Sequence, residues 1–267
     1  MTTRKRRRWI WWSIIGFFLI LLLGLALARP ILDAIQRPRD LASAKARGEE
    51  LLASRGKTFL IITAHPDDAE WWVGGTLAGL AAKGNQVILV LGTSGEQGAT
   101  VLNLGTIRED EQQQAAKILG YAGVIFLRHP DRQLSRSGTY LQELKDLYRQ
   151  YSPDAVITFD IANEGLIYHH EDHRAAGRVA WEAANDQPDL AFYLFHSSAP
   201  DVLVDYTPVK QQKKEALTIL QGYQPPGIWH SILGIFASGE NYGGRAAYSE
   251  VGVQFGELLR FTTRGTP

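Results

Sequence analysis

Short apolar runs rich in β-branched residues alternate with helical stretches along most of the chain, and this alternation restricts the fold more than any other feature. The predicted strands cover residues 58–63, 86–91, 124–127, 155–159 and 190–195. The predicted helices cover residues 74–83, 106–119, 140–151, 171–184 and 209–220. Strands that alternate with helices favour a parallel sheet with helices on both faces, because each parallel connection must cross the sheet. We therefore predict an α/β fold whose functional residues lie where strands end and loops begin.

A second constraint is the apolar segment at residues 9–28, which contains 20 consecutive uncharged residues. A helix of that length extends about 30 Å, the thickness of the hydrocarbon core of a bilayer. Basic residues 4–8 precede it, and the positive-inside rule places such a segment in the cytoplasm. We predict that residues 1–30 form a cytoplasmic basic segment and a single transmembrane anchor. Residues 31–56 would form a juxtamembrane linker or a short helix, and the domain that follows would be extracytoplasmic.

A cleaved signal peptide is the alternative for the same segment. Ala26, Leu27 and Ala28 resemble a small-residue cleavage site, and basic residues precede the apolar run. The run is longer than the ~7–15 apolar residues of a typical signal peptide, which favours the uncleaved anchor.

Charge and cysteine content exclude several classes of function. Residues 1–29 hold six of the 28 basic residues and no acid, so the rest of the chain has 22 basic against 28 acidic residues. A body with an excess of acids is a poor candidate for binding nucleic acid, whose phosphates require a basic surface. The chain has no cysteine, so it has neither disulfides nor thiolate metal sites. A metal would have to be bound by His, Asp or Glu.

A cluster of polar residues follows the first predicted strand directly. His65, Asp67 and Asp68 lie at the turn from this strand to the next helix. Imidazole and carboxylate groups are zinc ligands, and a catalytic zinc commonly takes three protein groups. Helix capping is the alternative, but it accounts for one aspartate and not for a histidine with two acids.

A second cluster, YHHEDH at residues 168–173, follows the fourth predicted strand. If a helix starts here, His170 and His173 are three residues apart and share one face. A solvated, charged helix start is the alternative. Two such clusters, each after a parallel strand, favour a shared metal site, because one cluster can supply the ligand that the other lacks.

The two clusters together resemble the motifs of the PIG-L/LmbE family of zinc de-N-acetylases. The resemblance rests on AHPDDAEWWVGG at 64–75, HEDH at 170–173, TSGE at 93–96, and the pair Arg108 and Glu111. It implies a Rossmann-like fold, a catalytic domain over residues 57–267, Zn²⁺ as cofactor and an N-acetylglucosamine conjugate as substrate.

The resemblance also implies a role for each motif residue. The zinc ligands would be His65, Asp68 and His173. Asp67 would be the general base that deprotonates the attacking water. His170 would stabilise the oxyanion or protonate the leaving amine, and Asp172 would orient a histidine.

Two other functions stay open from the sequence. A zinc hydrolase could act on another amide or on an ester, because no residue specifies the acyl group. The domain could also be a non-catalytic carbohydrate-binding module on the same fold. The presence of Asp67 beside the predicted ligands argues against a binding module, because binding alone does not require a general base.

Overall fold

The computed structural model describes residues 9–20, 23–24, 37–165, 169–220 and 248–265. The strands are β1 (Thr58–Thr63), β2 (Gln86–Thr93), β3 (Gly123–His129), β4 (Ala155–Phe159), β5 (Ala191–Phe195), β6 (Val202–Asp205) and β7 (Gly256–Thr263). The helices of the folded body are α1 (Leu41–Ala53), α2 (Asp68–Ala82), α3 (Leu104–Leu119), α4 (Tyr140–Tyr151), α5 (Glu171–Ala183) and α6 (Lys210–Ile219).

The strands form one sheet in the order β3-β2-β1-β4-β5-β7-β6. Strands β1 to β5 are parallel, as in the pairing of Ile61 with Leu89 on one side and with Ile157 on the other. Strand β7 runs antiparallel to both β5 and β6. The central strands β1, β2 and β4 are apolar and buried along nearly their whole length, as expected for strands covered on both faces. The prediction of an α/β fold with a mostly parallel sheet is confirmed.

The strand order creates a switch point between β1 and β4. From β1 the chain moves outward to β2 and β3, whereas β4 pairs with the other side of β1 and leads to β5. Helices α2, α3 and α6 contact one another, and α4 packs on α5 as a second group. In an open α/β sheet, ligands bind in the crevice at the carboxyl ends of the strands beside such a switch point. One predicted polar cluster follows β1 and the other follows β4.

Part of the segment predicted as a linker is folded. Residues 41–53 form α1, whose N-terminus is capped by Asp40 through the Ser43 N–H at 3.0 Å. The helix packs on β6 so closely that a Cβ at Gly48 would overlap the Leu203 carbonyl. This helix belongs to the body because a glycine lets the two backbones meet.

The predicted membrane span at 9–28 lies only partly within the described residues. Residues 9–20 and 23–24 are helical and mostly exposed, including Trp9, Trp11 and Trp12. Residues 21, 22 and 25–28 lie outside the described part of the chain. None of the described helices has both the length and the apolar character needed to cross a bilayer.

Candidate active site

The turn from β1 to α2 brings the first cluster to the switch point. Asp68 begins α2, and its carboxylate Oδ2 accepts the backbone N–H of His65 at 2.8 Å and that of Ala64 at 3.2 Å. The same carboxylate lies 3.5 Å from His65 Nδ1 and 3.1 Å from His173 Nε2. The structure therefore brings together His65, Asp68 and His173, the three predicted metal ligands. All three are buried.

The second cluster lies at the N-terminus of α5. His170 is the N-cap residue, and its Nδ1 accepts the Asp172 N–H at 3.2 Å. Because Nδ1 accepts, a neutral His170 carries its ring hydrogen on Nε2, where it can donate to a bound molecule. The ring of His173 stacks on Phe159 at a centroid distance of 4.3 Å, which holds it toward Asp68. The rings of His65 and His170 are 4.8 Å apart.

The donor atoms have the chemistry of a catalytic zinc site. Imidazole nitrogens and a carboxylate converge in a buried position, with acidic groups in excess of the positive ones nearby, so a divalent cation would balance the charge. His65, His170 and His173 also offer nitrogens within 4.8 Å of one another. His65 and His173 thus fit a zinc ion with either Asp68 or His170 as the third ligand. His65, Asp131 and Asp172 form another group close enough to hold a metal.

Sequence reasoning missed Asp131, a buried residue two positions beyond the end of β3. Its Oδ1 lies 3.1 Å from His65 Nε2, and Asp172 Oδ2 lies 3.4 Å from the same nitrogen. Burial alone would lower the pKa of His65, but the bonds with Asp131, Asp172 and Asp68 raise it well above its usual value. Asp131 and Asp172 therefore hold the His65 ring from the side opposite Asp68. The signal for Asp131 was its place after a parallel strand, where the carboxyl ends share an edge.

Asp172, predicted to orient a histidine, is fully buried. Its carboxylate accepts the backbone N–H of Arg132 at 2.6 Å and that of Leu134 at 3.1 Å. These bonds fix the carboxylate beside His65 Nε2, so His65 is the histidine that it contacts.

Asp67 lies next to the predicted ligands but has different partners. Its Oδ2 accepts a hydrogen bond from Arg108 Nη2 at 2.8 Å, and the same Arg108 nitrogen donates to the Pro66 carbonyl. Burial raises the pKa of Asp67 to about 6, although the Arg108 charge opposes the rise. A carboxylate with a pKa near the working pH suits a proton acceptor. Arg108, which the family resemblance includes together with Glu111, thus pairs with Asp67.

A buried glutamine and glutamate lie behind Asp67. Gln112 Oε1 accepts the Asp67 N–H at 3.0 Å, and Gln112 Nε2 donates to Glu70 Oε1 at 2.8 Å. Both side chains have 0% exposure. Burial raises the pKa of Glu70 to about 7, against the opposing effect of the Gln112 hydrogen bond.

Fold and site together define a class of protein: an α/β domain with a histidine–aspartate site of metal-binding chemistry at the switch point of its sheet. Residues 60–184 match the model of the PIG-L family, described as GlcNAc-PI de-N-acetylase. Residues 60–184 therefore correspond to a PIG-L domain, and the resemblance predicted from the motifs is confirmed.

Several relatives of this chain have named activities. A 1D-myo-inositol 2-acetamido-2-deoxy-alpha-D-glucopyranoside deacetylase of Streptomyces scabiei is 33% identical in an alignment of 183 residues. The alignment covers 57% of this chain and 56% of that protein. A diacetylchitobiose deacetylase of Thermococcus kodakarensis is 27% identical over 197 residues, 65% of this chain and 72% of that protein. The chain thus spans little more than half the length of the first of these relatives.

Solved structures show the same fold. The N,N'-diacetylchitobiose deacetylase from Pyrococcus horikoshii superposes with a TM-score of 0.65 at 27% identity, over 78% of this chain and 84% of that chain. A 4-carboxy-2-hydroxymuconate hydratase from Pseudomonas putida superposes with a TM-score of 0.62 at 23% identity, over 77% of this chain and 96% of that chain. Because the same fold also occurs in a hydratase, the argument for function must come from the site.

Proposed function

We propose that this protein is a zinc-dependent hydrolase that removes the N-acetyl group from an N-acetylglucosamine-type conjugate. The observation that carries the proposal is the pair of adjacent carboxylates with different surroundings. Asp68 contacts His65 and His173, whereas Asp67 is held by Arg108. A site that only binds sugar has no use for a second, separately held carboxylate. The names of the relatives supply the class of substrate.

Each side chain would have a separate task. His65, Asp68 and His173 would hold Zn²⁺, which when bound polarises the amide carbonyl and makes water a nucleophile at neutral pH. Asp67 would accept the proton from the attacking water through Oδ1, because Oδ2 is occupied by Arg108. Asp67 would then return that proton to the leaving amine.

His170 would stabilise the oxyanion. Its Nδ1 accepts the Asp172 N–H, so Nε2–H is its free donor in the neutral ring. Burial lowers the pKa of His170, which favours the neutral donor over an imidazolium acid. A well-placed donor of this kind typically contributes ~10²–10³-fold to the rate.

A direct assay tests the proposal. The purified protein would be incubated with zinc and with N-acetylglucosamine conjugates, including diacetylchitobiose, while free amine and acetate are measured. We expect both products to appear in equal amounts and to disappear when a chelator removes the metal. Tight zinc binding without amine release across the panel would instead indicate a carbohydrate-binding module, and cleavage of simple esters alone would indicate another hydrolase.

We also propose that residues 9–28 anchor the protein in a membrane, with the basic segment in the cytoplasm and the catalytic domain on the other side. The support is the length and lack of charge of this segment and the basic residues before it. The full chain should partition with membranes, and a reporter fused to its C-terminus should be active only outside the cytoplasm. A mature N-terminus near Arg29 would show a cleaved signal peptide, and a reporter active only in the cytoplasm would reverse the topology.

A further inference from the structure

Helix α3 contacts the backbone of Asp67 as well as its side chain. Arg108 and Gln112 are four residues apart in α3, so they lie on the same face of the helix. Arg108 donates to the carboxylate of Asp67 at 2.8 Å, and Gln112 accepts the Asp67 N–H at 3.0 Å. One face of α3 therefore binds both the side-chain carboxylate and the backbone N–H of Asp67.

The backbone of Asp67 has an unfavourable conformation. Its φ is 96° and its ψ is −27°, in the left-handed region that residues other than glycine rarely adopt. Such a conformation is strained and persists only where the surrounding structure enforces it. The Asp67 N–H donates to Gln112 Oε1 at 3.0 Å, and this bond ties the backbone of the strained residue to α3.

The Asp67 N–H determines which way the Gln112 amide points. A glutamine amide can rotate by half a turn and exchange its oxygen with its nitrogen. Because the Asp67 N–H can only donate, it requires Oε1 of Gln112, which accepts it at 3.0 Å, and the Gln112 NH₂ group then donates to Glu70 Oε1 at 2.8 Å. Since both side chains are fully buried, water cannot substitute for either partner.

We propose that Gln112 and Glu70 are positioning residues for the proton acceptor. Through the Asp67 N–H they keep Asp67 in its left-handed conformation, and this conformation places its carboxylate beside Arg108 and apart from Asp68. The inference rests on the proposed function for the catalytic role of Asp67, but not for the effect on the backbone.

The first test is Gln112→Leu in the full-length, zinc-loaded protein. We expect kcat to fall by about tenfold or more, because a small displacement of a reacting group is costly. KM and zinc content should stay near the wild-type values, since Gln112 contacts neither substrate nor a predicted ligand. Gln113→Leu is the matched control, because Gln113 is exposed on the same helix. It should leave kcat unchanged.

A swap of the two side chains separates positioning from simple loss of stability. Gln112→Glu alone places two carboxyl groups against each other and should lower kcat. Adding Glu70→Gln restores an amide opposite a carboxylate, with a carboxylate oxygen still facing the Asp67 N–H. The double variant should therefore recover most of the lost kcat. The swap also decides the matter if Gln112→Leu proves too unstable to purify.

The crystal structure of Gln112→Leu gives a readout independent of activity, in which Asp67 should leave φ near 96°. An unchanged Asp67 conformation, a kcat within twofold of wild type, or a loss of kcat fully accounted for by lost zinc would overturn the inference. If the wild-type protein releases no amine, the proposed function fails instead, and the crystal structure still tests whether Gln112 holds the Asp67 backbone.

Discussion

Asp67 and Asp68 are adjacent in the chain, yet their carboxylates have different partners. Asp68 accepts two backbone N–H groups and contacts two histidines, whereas Asp67 pairs with Arg108. The left-handed backbone of Asp67 turns the two side chains apart. In the proposed mechanism, one turn of chain thus supplies both a metal-binding carboxylate and a proton acceptor.

Asp67→Asn tests this division of roles. The variant should retain zinc, because Asp67 is not among the predicted ligands, and should lose about 10²–10⁴-fold in kcat, the usual contribution of a general base. Zinc content by elemental analysis and kcat on the same preparation provide the measurement. Asp110→Asn, an exposed change in α3, is the control. Near-normal turnover in Asp67→Asn would exclude it as the base.

The two ligand sets that contain His173 make opposite predictions for Asp68 and His170. We expect His65→Ala, His173→Ala and Asp68→Asn to lose zinc, because two remaining ligands rarely hold it tightly. His170→Ala should keep its zinc and lose rate, because it removes a donor to the oxyanion. Zinc content decides between the sets. Full retention in Asp68→Asn together with loss in His170→Ala would establish the three-histidine set instead.

At the scale of elements, helix α2 is fixed from its middle as well as from its N-terminus. Glu257 of β7 accepts the N–H groups of Gly75 and Thr76 at 2.9 and 2.7 Å, and Lys213 donates to the Trp71 carbonyl at 3.1 Å. In a regular helix the Gly75 N–H and the Trp71 carbonyl would pair with each other. The buried pair of Lys213 and Glu257, 2.6 Å apart, therefore connects α2 to β7 and α6.

Gly75→Ala should destabilise this contact. A Cβ at Gly75 would overlap Tyr206, which packs against the helix at this point. Overpacking of this kind costs about 1–3 kcal/mol. The free energy of unfolding, measured with denaturant, should fall by that amount. Gly138→Ala is the control, because a Cβ there meets no atom within 4 Å. Equal stability of the two variants would show that the helix moves freely away from Tyr206.

At the scale of the whole molecule, Asp160 joins the parallel part of the sheet to the antiparallel edge. It follows β4, and its carboxylate accepts hydrogen bonds from Arg260 of β7 at 2.7 and 3.1 Å and from the Ser197 hydroxyl at 2.7 Å. Burial alone would raise the pKa of Asp160, but these bonds and that of the Asn163 N–H outweigh it and lower the pKa below its usual value.

The lowered pKa predicts how stability depends on pH. Because the folded pKa of Asp160 lies below the unfolded value of about 3.9, its contribution is complete above that value and is lost as the pH falls through the folded pKa. Asp160→Asn should therefore cost about 2–4 kcal/mol at pH 7 and less near pH 3. Thermal unfolding at both pH values measures the difference.

The control for this pH dependence is Asp146→Asn, which breaks an exposed pair with Arg149 and should change stability little at either pH. If the difference in stability between Asp160→Asn and wild type is the same at pH 7 and near pH 3, the charge of Asp160 does not contribute to stability.

The central strands and helices could be predicted from the sequence because their signals are local. Strands β1 and β4 and helix α4 have the predicted bounds, since a buried parallel strand is a short apolar run and α4 has a clear apolar face. Helix α2 begins at Asp68, six residues before the predicted start at 74. The sequence did not reveal this start because the helix is buried on most sides and no side-chain capping bond marks its N-terminus. Strands β6 and β7 were not predicted, because their pairing with each other and with β5 is long-range.

The sequence by itself determined the class of fold, the family and the residues that meet at the switch point. Strand ends in a parallel sheet share an edge, so His65, Asp68 and His173 could be brought together from their positions after β1 and β4 alone. Only the tertiary structure decided that Asp131 holds His65, that Arg108 pairs with Asp67, and that Gln112 takes the Asp67 N–H. The reason is physical: these contacts depend on which helix face or loop packs against the turn, and no periodic pattern in the chain records that choice.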